Sequence, residues 1–175
     1  MAPPVAWLPA LRWYFAVTLA GNLVWEFAQM PLYTLWRTGS PREIAFAAIH
    51  CTGGDVFIAG ASLVGSLVLI GTADWPRSRW RTVVIANVLL GVGYTAWSEH
   101  VNTVRGLWTY SDLMPLLPMS GLGLAPLSQW FVIPILASAA ARSAHAMMPL
   151  DLPALGVTTS GFTPEQLARS DRRPS

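Results

Sequence analysis

The chain has no lysine and few charges of either sign. All eleven basic residues are arginines, and charged residues make up 11% of the 175 positions. Soluble domains carry about 25% charged residues, so this chain lacks the polar surface needed to cover a globule in water. Disorder is excluded as well, because it requires low hydrophobicity and high net charge, whereas 53% of these residues are hydrophobic and the net charge is +2. The composition predicts a single-domain integral membrane protein.

Other absences exclude classes of partner and chemistry. A net charge of +2 is too small for a nucleic-acid surface. Nucleotide use is disfavoured, because no glycine-rich loop joins a strand to a helix and no lysine is present to meet a phosphate. Cys51 is the single cysteine, so no intrachain disulfide can form. No motif in the sequence indicates whether the protein uses a cofactor or which one, so the cofactor stays unknown.

Long apolar stretches occur four times, at residues 13–36, 44–71, 82–98 and 113–141. The first has Glu26 as its only charge, and at 1.5 Å per residue it reaches about 36 Å, enough to cross a hydrocarbon core of about 30 Å. Asp55 is the only charge in the second, and the third and fourth have none. Each stretch is therefore predicted to be a membrane span.

Prolines interrupt the fourth stretch, at Pro115, Pro118, Pro126 and Pro134. This spacing is too dense for one straight helix, because each interior proline removes a backbone hydrogen bond. We expect residues 113–125 to be irregular or re-entrant and a helix to begin near Leu127. The predicted fold is an all-α integral membrane protein, a four-helix transmembrane bundle with a proline-broken or re-entrant entry to the fourth helix.

The distribution of arginines predicts the orientation. In a four-span topology, one side of the membrane carries eight arginines and the other three. Basic loops stay on the cytoplasmic side, so both termini are predicted to be cytoplasmic in a multi-pass inner-membrane protein. Residues 1–148 are predicted to form the transmembrane domain and residues 149–175 a mobile cytoplasmic tail.

Polar side chains recur on one face of the first span. Asn22, Glu26, Gln29 and Tyr33 follow one another at spacings of four, three and four, which predicts one helical stripe. An unpaired carboxylate in lipid costs several kcal/mol, so this stripe is expected to face the bundle or a wet cavity.

The second and third spans add further polar groups close to the same side of the membrane. Because consecutive spans run in opposite directions, these groups are expected to meet the stripe of the first span in the outer half of the bilayer. The candidate catalytic residues are Glu26, His50, Asp55 and Glu99. The candidate binding residues are Asn22, Gln29, Tyr33, His100, Asn102, Arg105, Trp108 and Tyr110.

Two simpler interpretations apply to the same residues. Buried polar side chains in membrane bundles often serve only to join helices by hydrogen bonds, and an ion pair with Arg105 would account for one carboxylate, Glu99 or Glu26. Three carboxylates are more than packing alone ordinarily requires. No metal site is predicted, because His50 and His100 are not part of a tight spacing such as HxxxH.

The order of elements, four helices with intramembrane carboxylates, a histidine and tryptophans, is similar to that of the sterol isomerase and sigma-2 receptor family. Members of that family work on lipophilic substrates, and the resemblance implies a four-helix membrane architecture. It covers architecture only, and no site residue is carried over from it.

Two hypotheses of function follow. In the first, the protein is a membrane enzyme or binding protein whose cavity admits an amphipathic or lipophilic small molecule from the bilayer, and a carboxylate such as Glu26 or Glu99 moves a proton with His50 as its partner. In the second, it is a non-enzymatic subunit, scaffold or small proton- or cation-conducting assembly, either a homo-oligomer or bound to other membrane subunits. Whether the protein is an enzyme stays open between them.

Overall fold

A computed structural model describes residues 7–146, and the predicted tail at 149–175 lies outside them. The predicted all-α fold is confirmed, as helices packed into a bundle. The helices are α1 (Trp7–Gln29), α2 (Leu35–Thr38), α3 (Pro41–Ile70), α4 (Trp80–Val104) and α5 (Leu124–Ala146), and a 3₁₀ turn at Met30–Leu32 follows α1.

The four long helices pack as a ring. Helix α1 contacts α3 and α5, and α4 contacts the same two helices from the other side. The C-terminal ends of α1 and α4 therefore lie beside the N-terminal halves of α3 and α5, and all four line one cavity. This arrangement gives the bundle one polar end.

The start of α3 follows from its sequence. Ser40 and Glu43 form a capping box, in which the Glu43 carboxylate accepts the Ser40 backbone N–H at 2.8 Å and the Ser40 hydroxyl accepts the Glu43 N–H at 3.4 Å. Pro41 occupies the first helical position, where its missing N–H costs nothing.

Helix α1 ends earlier than the apolar stretch at residues 13–36 predicts. Pro31 has no N–H to continue the helical ladder, and a proline disfavours α-helical backbone in the residue before it. The chain therefore turns at Met30–Leu32, and Tyr33 is extended at φ −113°. The prediction that Tyr33 continues the helical stripe of Asn22, Glu26 and Gln29 is thus wrong, although the turn keeps it at the same end of the bundle.

The proline-rich entry to α5 is irregular, as predicted, with an isolated antiparallel bridge between Leu116 and Gly123. The helix itself begins at Leu124 and not near Leu127. Pro126 is compatible with this earlier start, because the N–H groups of the first helical turn have no intrahelical partner in any case. Pro134 lies inside the helix.

The outward faces of all four long helices are apolar, whereas many polar side chains are inside. Phe57, Val68 and Leu89 are 78%, 80% and 65% exposed. The buried polar residues include Asn22, Glu26, Gln29, Thr52, Asn87, Glu99 and Gln129. Helices α3 and α5 are long and apolar enough to cross a membrane, which by itself is weak evidence of membrane location. Helices α1 and α4 are less apolar and do not meet the same threshold of hydropathy.

The opposite end of the bundle is closed by packed side chains. Tyr14 is fully buried, and its hydroxyl donates to the Ala59 carbonyl at 3.3 Å and accepts from Asn87 Nδ2 at 2.8 Å. Leu63 and Trp130 belong to the same buried cluster. Since Trp130 also lines the cavity, this cluster forms the floor beneath the polar end.

Candidate functional site

A cavity of about 400 Å³ lies between the four long helices at their polar end. Three carboxylates reach it, Glu26 from α1, Asp55 from α3 and Glu99 from α4. They converge because the cavity lies between the C-terminal ends of α1 and α4 and the N-terminal halves of α3 and α5. The remaining walls are mostly apolar or aromatic, including Met30, Leu35, Ile58, Tyr94, Pro126 and Trp130.

Gln129 of α5 joins three helices through its side-chain amide. Its Nε2 lies 2.7 Å from Asn22 Oδ1, 2.9 Å from Asp55 Oδ2 and 3.3 Å from Glu26 Oε1. An amide nitrogen has two hydrogens, so the two shorter contacts take them and Glu26 shares one at longer range. The two carboxylates are thereby held next to each other with one neutral donor between them.

Gln29 fixes the other side of Glu26. Its Nε2 donates to Glu26 Oε1 at 2.8 Å. The Gln29 side chain is only 5% exposed, and within residues 7–146 its Oε1 is buried without a hydrogen-bond partner. Buried polar atoms in proteins are nearly always paired, so this unpaired acceptor at the cavity wall is unusual.

Glu99 is held by the loop before α5. The Tyr110 hydroxyl donates to the Glu99 carboxylate and accepts the Gly123 backbone N–H at 3.1 Å. Burial of the phenol, together with the hydrogen bond to Glu99, raises the pKa of Tyr110. Tyr110 therefore remains a hydrogen-bond donor to Glu99 throughout the physiological range of pH.

Residues 106–123, which we call the strap, cross the polar end of the bundle. The Thr34 N–H donates to the Thr109 carbonyl at 2.9 Å, and the Ser111 N–H donates to the Leu32 carbonyl at 2.8 Å. These bonds form an antiparallel bridge between Tyr33 and Tyr110, whose rings lie 5.6 Å apart. Trp108 of the strap lines the cavity, so the strap forms part of its wall.

The two histidines lie in different places. His50 lines the exposed rim of the cavity, where its ring stacks on Phe46 at 5.6 Å. Within the described residues, the hydrogen bonds to the three carboxylates come from Gln29, Gln129 and Tyr110. His100 is exposed and does not line the cavity.

The remaining predicted residues divide between wall and exterior. Gln29, Tyr33, Asn102 and Trp108 line the cavity, and Asn102 Nδ2 donates to the Ser98 hydroxyl at 3.0 Å. Arg105 is exposed at the C-terminus of α4.

The three carboxylates of the cavity form no ion pair within the described part of the chain. Across residues 7–146 the one ion pair joins Arg37 and Asp112, at 2.9 Å on the exposed surface. The ion pair of Arg105 with Glu99 or Glu26, which was one of the simpler interpretations, is therefore not formed. Over the same residues, no group of three or more His, Cys, Asp or Glu side chains has the geometry to hold a metal ion.

Sequence reasoning missed Gln129, the residue with the most contacts to the other polar groups. A signal was available, because Gln129 is the only side-chain amide in α5 and lies in an uncharged span. The same reasoning that singles out Gln29 in the first span applies to it. Cys51 also lines the cavity, which its position beside His50 did not by itself indicate.

The polar end of the bundle thus combines three carboxylates, an unpaired amide oxygen and apolar walls in one chamber. Comparison of the chain with protein-family models, with curated proteins and with solved structures found no match.

Proposed function

We propose that this chain is a four-span integral membrane protein whose cavity binds an amphipathic small molecule. The placement in the membrane is supported by the surface. All four long helices present large apolar side chains outward, and soluble monomers rarely expose so much apolar surface. In this proposal α1 and α4 span the bilayer with α3 and α5, because their polar groups face the bundle, and the arginine distribution orients both termini toward the cytoplasm.

The observation that carries the binding proposal is the mixed lining of the cavity. Its volume of about 400 Å³ falls within the range of small-molecule sites, about 300–1,000 Å³. Polar groups gather around Glu26, Asp55 and Glu99, while the walls near Ile58 and Trp130 are apolar. A molecule with one polar head and an apolar body would satisfy both parts of such a lining.

In this proposal the ligand enters from the bilayer, through the side of the cavity that α3 and α4 line. His50, Gly54 and Tyr94 line the cavity and are exposed on the outer surface between α3 and α4. A Cβ atom added at Gly54 would meet nothing within 4 Å, so the helix surface there is open. A lipophilic ligand would therefore pass between these two helices without crossing the strap.

The geometry favours carboxylates over histidine as the groups that meet the ligand. Asp55 and Glu26 both accept from the Gln129 side chain, and Glu99 accepts a hydrogen bond from the Tyr110 hydroxyl. If a proton is transferred, these groups are positioned to take part, whereas His50 on the rim is placed to contact the entering molecule. The alternative of a subunit whose polar stripe pairs with other chains is less favoured, because the stripe bonds within its own bundle.

The test uses Cys51, the only cysteine, as a reporter inside the cavity. Purified protein in nanodiscs is treated with N-ethylmaleimide in the presence of a neutral amphipathic probe, 4-phenylbutan-1-ol. We expect the probe to slow alkylation in a saturable manner, because probe and reagent compete for one chamber. Mass spectrometry of the untreated protein would identify any lipophilic molecule that co-purifies.

Two neighbouring glycines give a matched pair of variants. Cβ atoms at Gly53 and Gly54 both meet open space, but only Gly54 lines the cavity. Gly54→Trp is expected to abolish stabilisation of the protein against heat by the probe, and Gly53→Trp to preserve it. Absence of any probe-dependent protection or stabilisation in the wild type would refute the proposal, as would an undiminished effect in Gly54→Trp.

A further inference from the structure

The end of the strap and the first residue of α5 form a hairpin, residues 115–124, which we call the strap hairpin. Its centre is the antiparallel bridge between Leu116 and Gly123. Beside this bridge, the Leu117 N–H donates to the Leu122 carbonyl at 2.7 Å. The strap hairpin therefore has a defined backbone structure, and it leads directly into α5.

The base of the strap hairpin is packed onto the wall of the cavity. Met114, directly before it, is buried, and a Cβ added at Gly123 would lie 3.0 Å from the Met114 sulfur and 3.2 Å from the Tyr110 ring. The Gly123 N–H also donates to the Tyr110 hydroxyl, which in turn donates to Glu99. The base is therefore fixed to the group that holds Glu99.

The tip of the strap hairpin, residues 116–122, is mostly apolar and exposed. Leu116 and Leu117 are exposed, and Met119 is fully so. No charged residue lies between Asp112 and the C-terminal part of α5, and the Asp112 carboxylate belongs to the exposed ion pair. Exposed apolar side chains clustered in this way are typical of a surface that contacts lipid or another protein.

The hydrogen bonding of the backbone favours lipid over water around the tip. An exposed loop in water can leave its N–H groups to the solvent, whereas an unpaired N–H in lipid is costly. Within residues 113–124, most N–H groups donate to partners in the strap itself, and Pro115 and Pro118 have no N–H to pair. The residues whose N–H groups are paired are Leu113, Met114, Leu117, Gly121, Leu122, Gly123 and Leu124.

The size of the tip favours lipid over a protein partner. A specific protein interface buries about 1,000 Å² or more in total, which is more than the tip of one hairpin offers. Lipid needs no such area, because it covers any apolar group that reaches it. Since the strap hairpin leads directly into α5, which is proposed to span the bilayer, the tip lies where lipid is available.

The remaining N–H groups of the tip indicate a shallow depth. Among the described residues, those of Leu116, Met119 and Ser120 are outside the paired set. Irregular backbone with unpaired groups does not face lipid within the hydrocarbon core. At the boundary between headgroups and acyl chains, about 5–10 Å into the leaflet, apolar side chains are buried while backbone groups still reach water.

We infer that the tip of the strap hairpin inserts into the lipid leaflet at the polar end of the bundle, with Leu116, Leu117 and Met119 at the boundary between headgroups and acyl chains. This inference rests on the proposed placement of the chain in a membrane, and it adds a lipid contact outside the four long helices. Because the base of the strap hairpin contacts Tyr110, insertion of the tip holds this wall of the cavity at the membrane surface.

Single cysteines labelled with the fluorophore NBD report where the tip lies. In a Cys51→Ala background, Met119→Cys probes the tip, Asp112→Cys the charged part of the strap, and Phe57→Cys an exposed position in the middle of α3. The protein is placed in nanodiscs that contain 5-doxyl-phosphatidylcholine, which quenches near the headgroups, or 12-doxyl-phosphatidylcholine, which quenches deeper. We expect 5-doxyl lipid to quench the label at Met119→Cys at least about twofold more strongly than at Asp112→Cys, and 12-doxyl lipid to quench the label at Phe57→Cys.

Alkylation by a charged reagent gives a measurement that does not depend on the fluorophore. The anionic thiol reagent 2-sulfonatoethyl methanethiosulfonate reacts in water and does not enter lipid. In nanodiscs without doxyl lipid, unlabelled Met119→Cys is expected to react at least about tenfold more slowly than Asp112→Cys, because the inserted thiol lies below the headgroups. If Met119→Cys does not fold, Leu116→Cys places the thiol on the same tip, and the same results are expected.

Each outcome separates this inference from the proposal on which it rests. Equal quenching at Met119→Cys and Asp112→Cys, with Phe57→Cys quenched, would overturn the inference while placement in the membrane stands. Equal rates of alkylation would also overturn it, since the tip would then face water. Slow alkylation of Met119→Cys without quenching would show that protein covers the tip, which overturns it as well. If the label at Phe57→Cys is not quenched either, placement in the membrane fails together with the inference.

Discussion

Replacing Gln129 with methionine tests whether one amide holds the polar end of the bundle together. Methionine has a similar length and helix propensity, so the substitution removes the donor with little change in volume. Asn22 Oδ1 and Asp55 Oδ2 lose the bonds that now measure 2.7 Å and 2.9 Å. Glu26 loses only the longer contact and keeps its bond from Gln29.

The magnitude follows from the number of bonds lost. Hydrogen bonds between membrane helices contribute about 0.6–2 kcal/mol each. Two such bonds from Gln129 give an expected loss of about 1–4 kcal/mol in the free energy of unfolding, twice the loss of one such bond. Gln29→Met is the control, because Gln29 donates a single side-chain bond, to Glu26, and its loss should cost about 1 kcal/mol.

The assay is unfolding by sodium dodecyl sulfate from a mild detergent, followed by tryptophan fluorescence. A double variant, Gln129→Met with Asp55→Ala, should lose less than the sum of the single losses, because both changes remove the bond between Gln129 and Asp55. Wild-type stability of Gln129→Met would refute the assignment of Gln129 as the joint between helices. So would an equal loss in Gln29→Met, since the two residues would then contribute alike.

Further predictions concern the floor of the cavity and the strap. Gly91→Ala places a Cβ 2.1 Å from the Trp130 ring and should lower the free energy of unfolding by about 1–3 kcal/mol. Gly93→Ala places its Cβ in open space and should be neutral or stabilising by up to about 1 kcal/mol. Equal effects of the two variants in thermal unfolding would contradict the close packing of Gly91 against Trp130. Tyr110→Phe removes the donor to Glu99 and should weaken probe binding, measured by calorimetry; unchanged binding would show that the strap does not position Glu99. Because the folded pKa of Tyr110 is raised above the unfolded value of about 10, its contribution to stability is complete below that pH and declines as pH rises toward the folded pKa. The wild type should therefore lose more stability between pH 9 and 11 than Tyr110→Phe in a thermal melting series, and parallel losses would contradict this.

Much of the fold could be predicted from local patterns. Apolar stretches with at most one charge each predict the four long helices, and the prolines at 115 and 118 predict the irregular entry to α5. The boundaries were less predictable. A proline in the first turn of a helix and one in its interior look alike in a sequence, so the sequence predicts a start near Leu127, three residues after the start of α5 at Leu124.

The candidate site, like the fold, is only partly predictable from the sequence. Alternating helix directions bring Glu26, Asp55 and Glu99 to one end, and the structure does place all three around one cavity. His100 and Arg105, which are close to Glu99 in sequence, are exposed instead. A helix rotates about 100° per residue, so neighbours in sequence face different directions, and membership of the cavity depends on rotation about the helix axis.

Composition and periodicity are sufficient to determine an all-α chain whose few polar residues within apolar stretches are exceptional, because any polar group left unpaired in apolar surroundings has a high free-energy cost. They do not determine partners. That Gln129 bonds Asn22 and Asp55, that Tyr110 reaches Glu99 across the strap, and that Gln29 retains an unpaired oxygen all follow from distances between elements remote in sequence. Hydrogen bonds act over about 3 Å, so only the packing of the helices decides which polar groups satisfy one another and which remain free for a ligand.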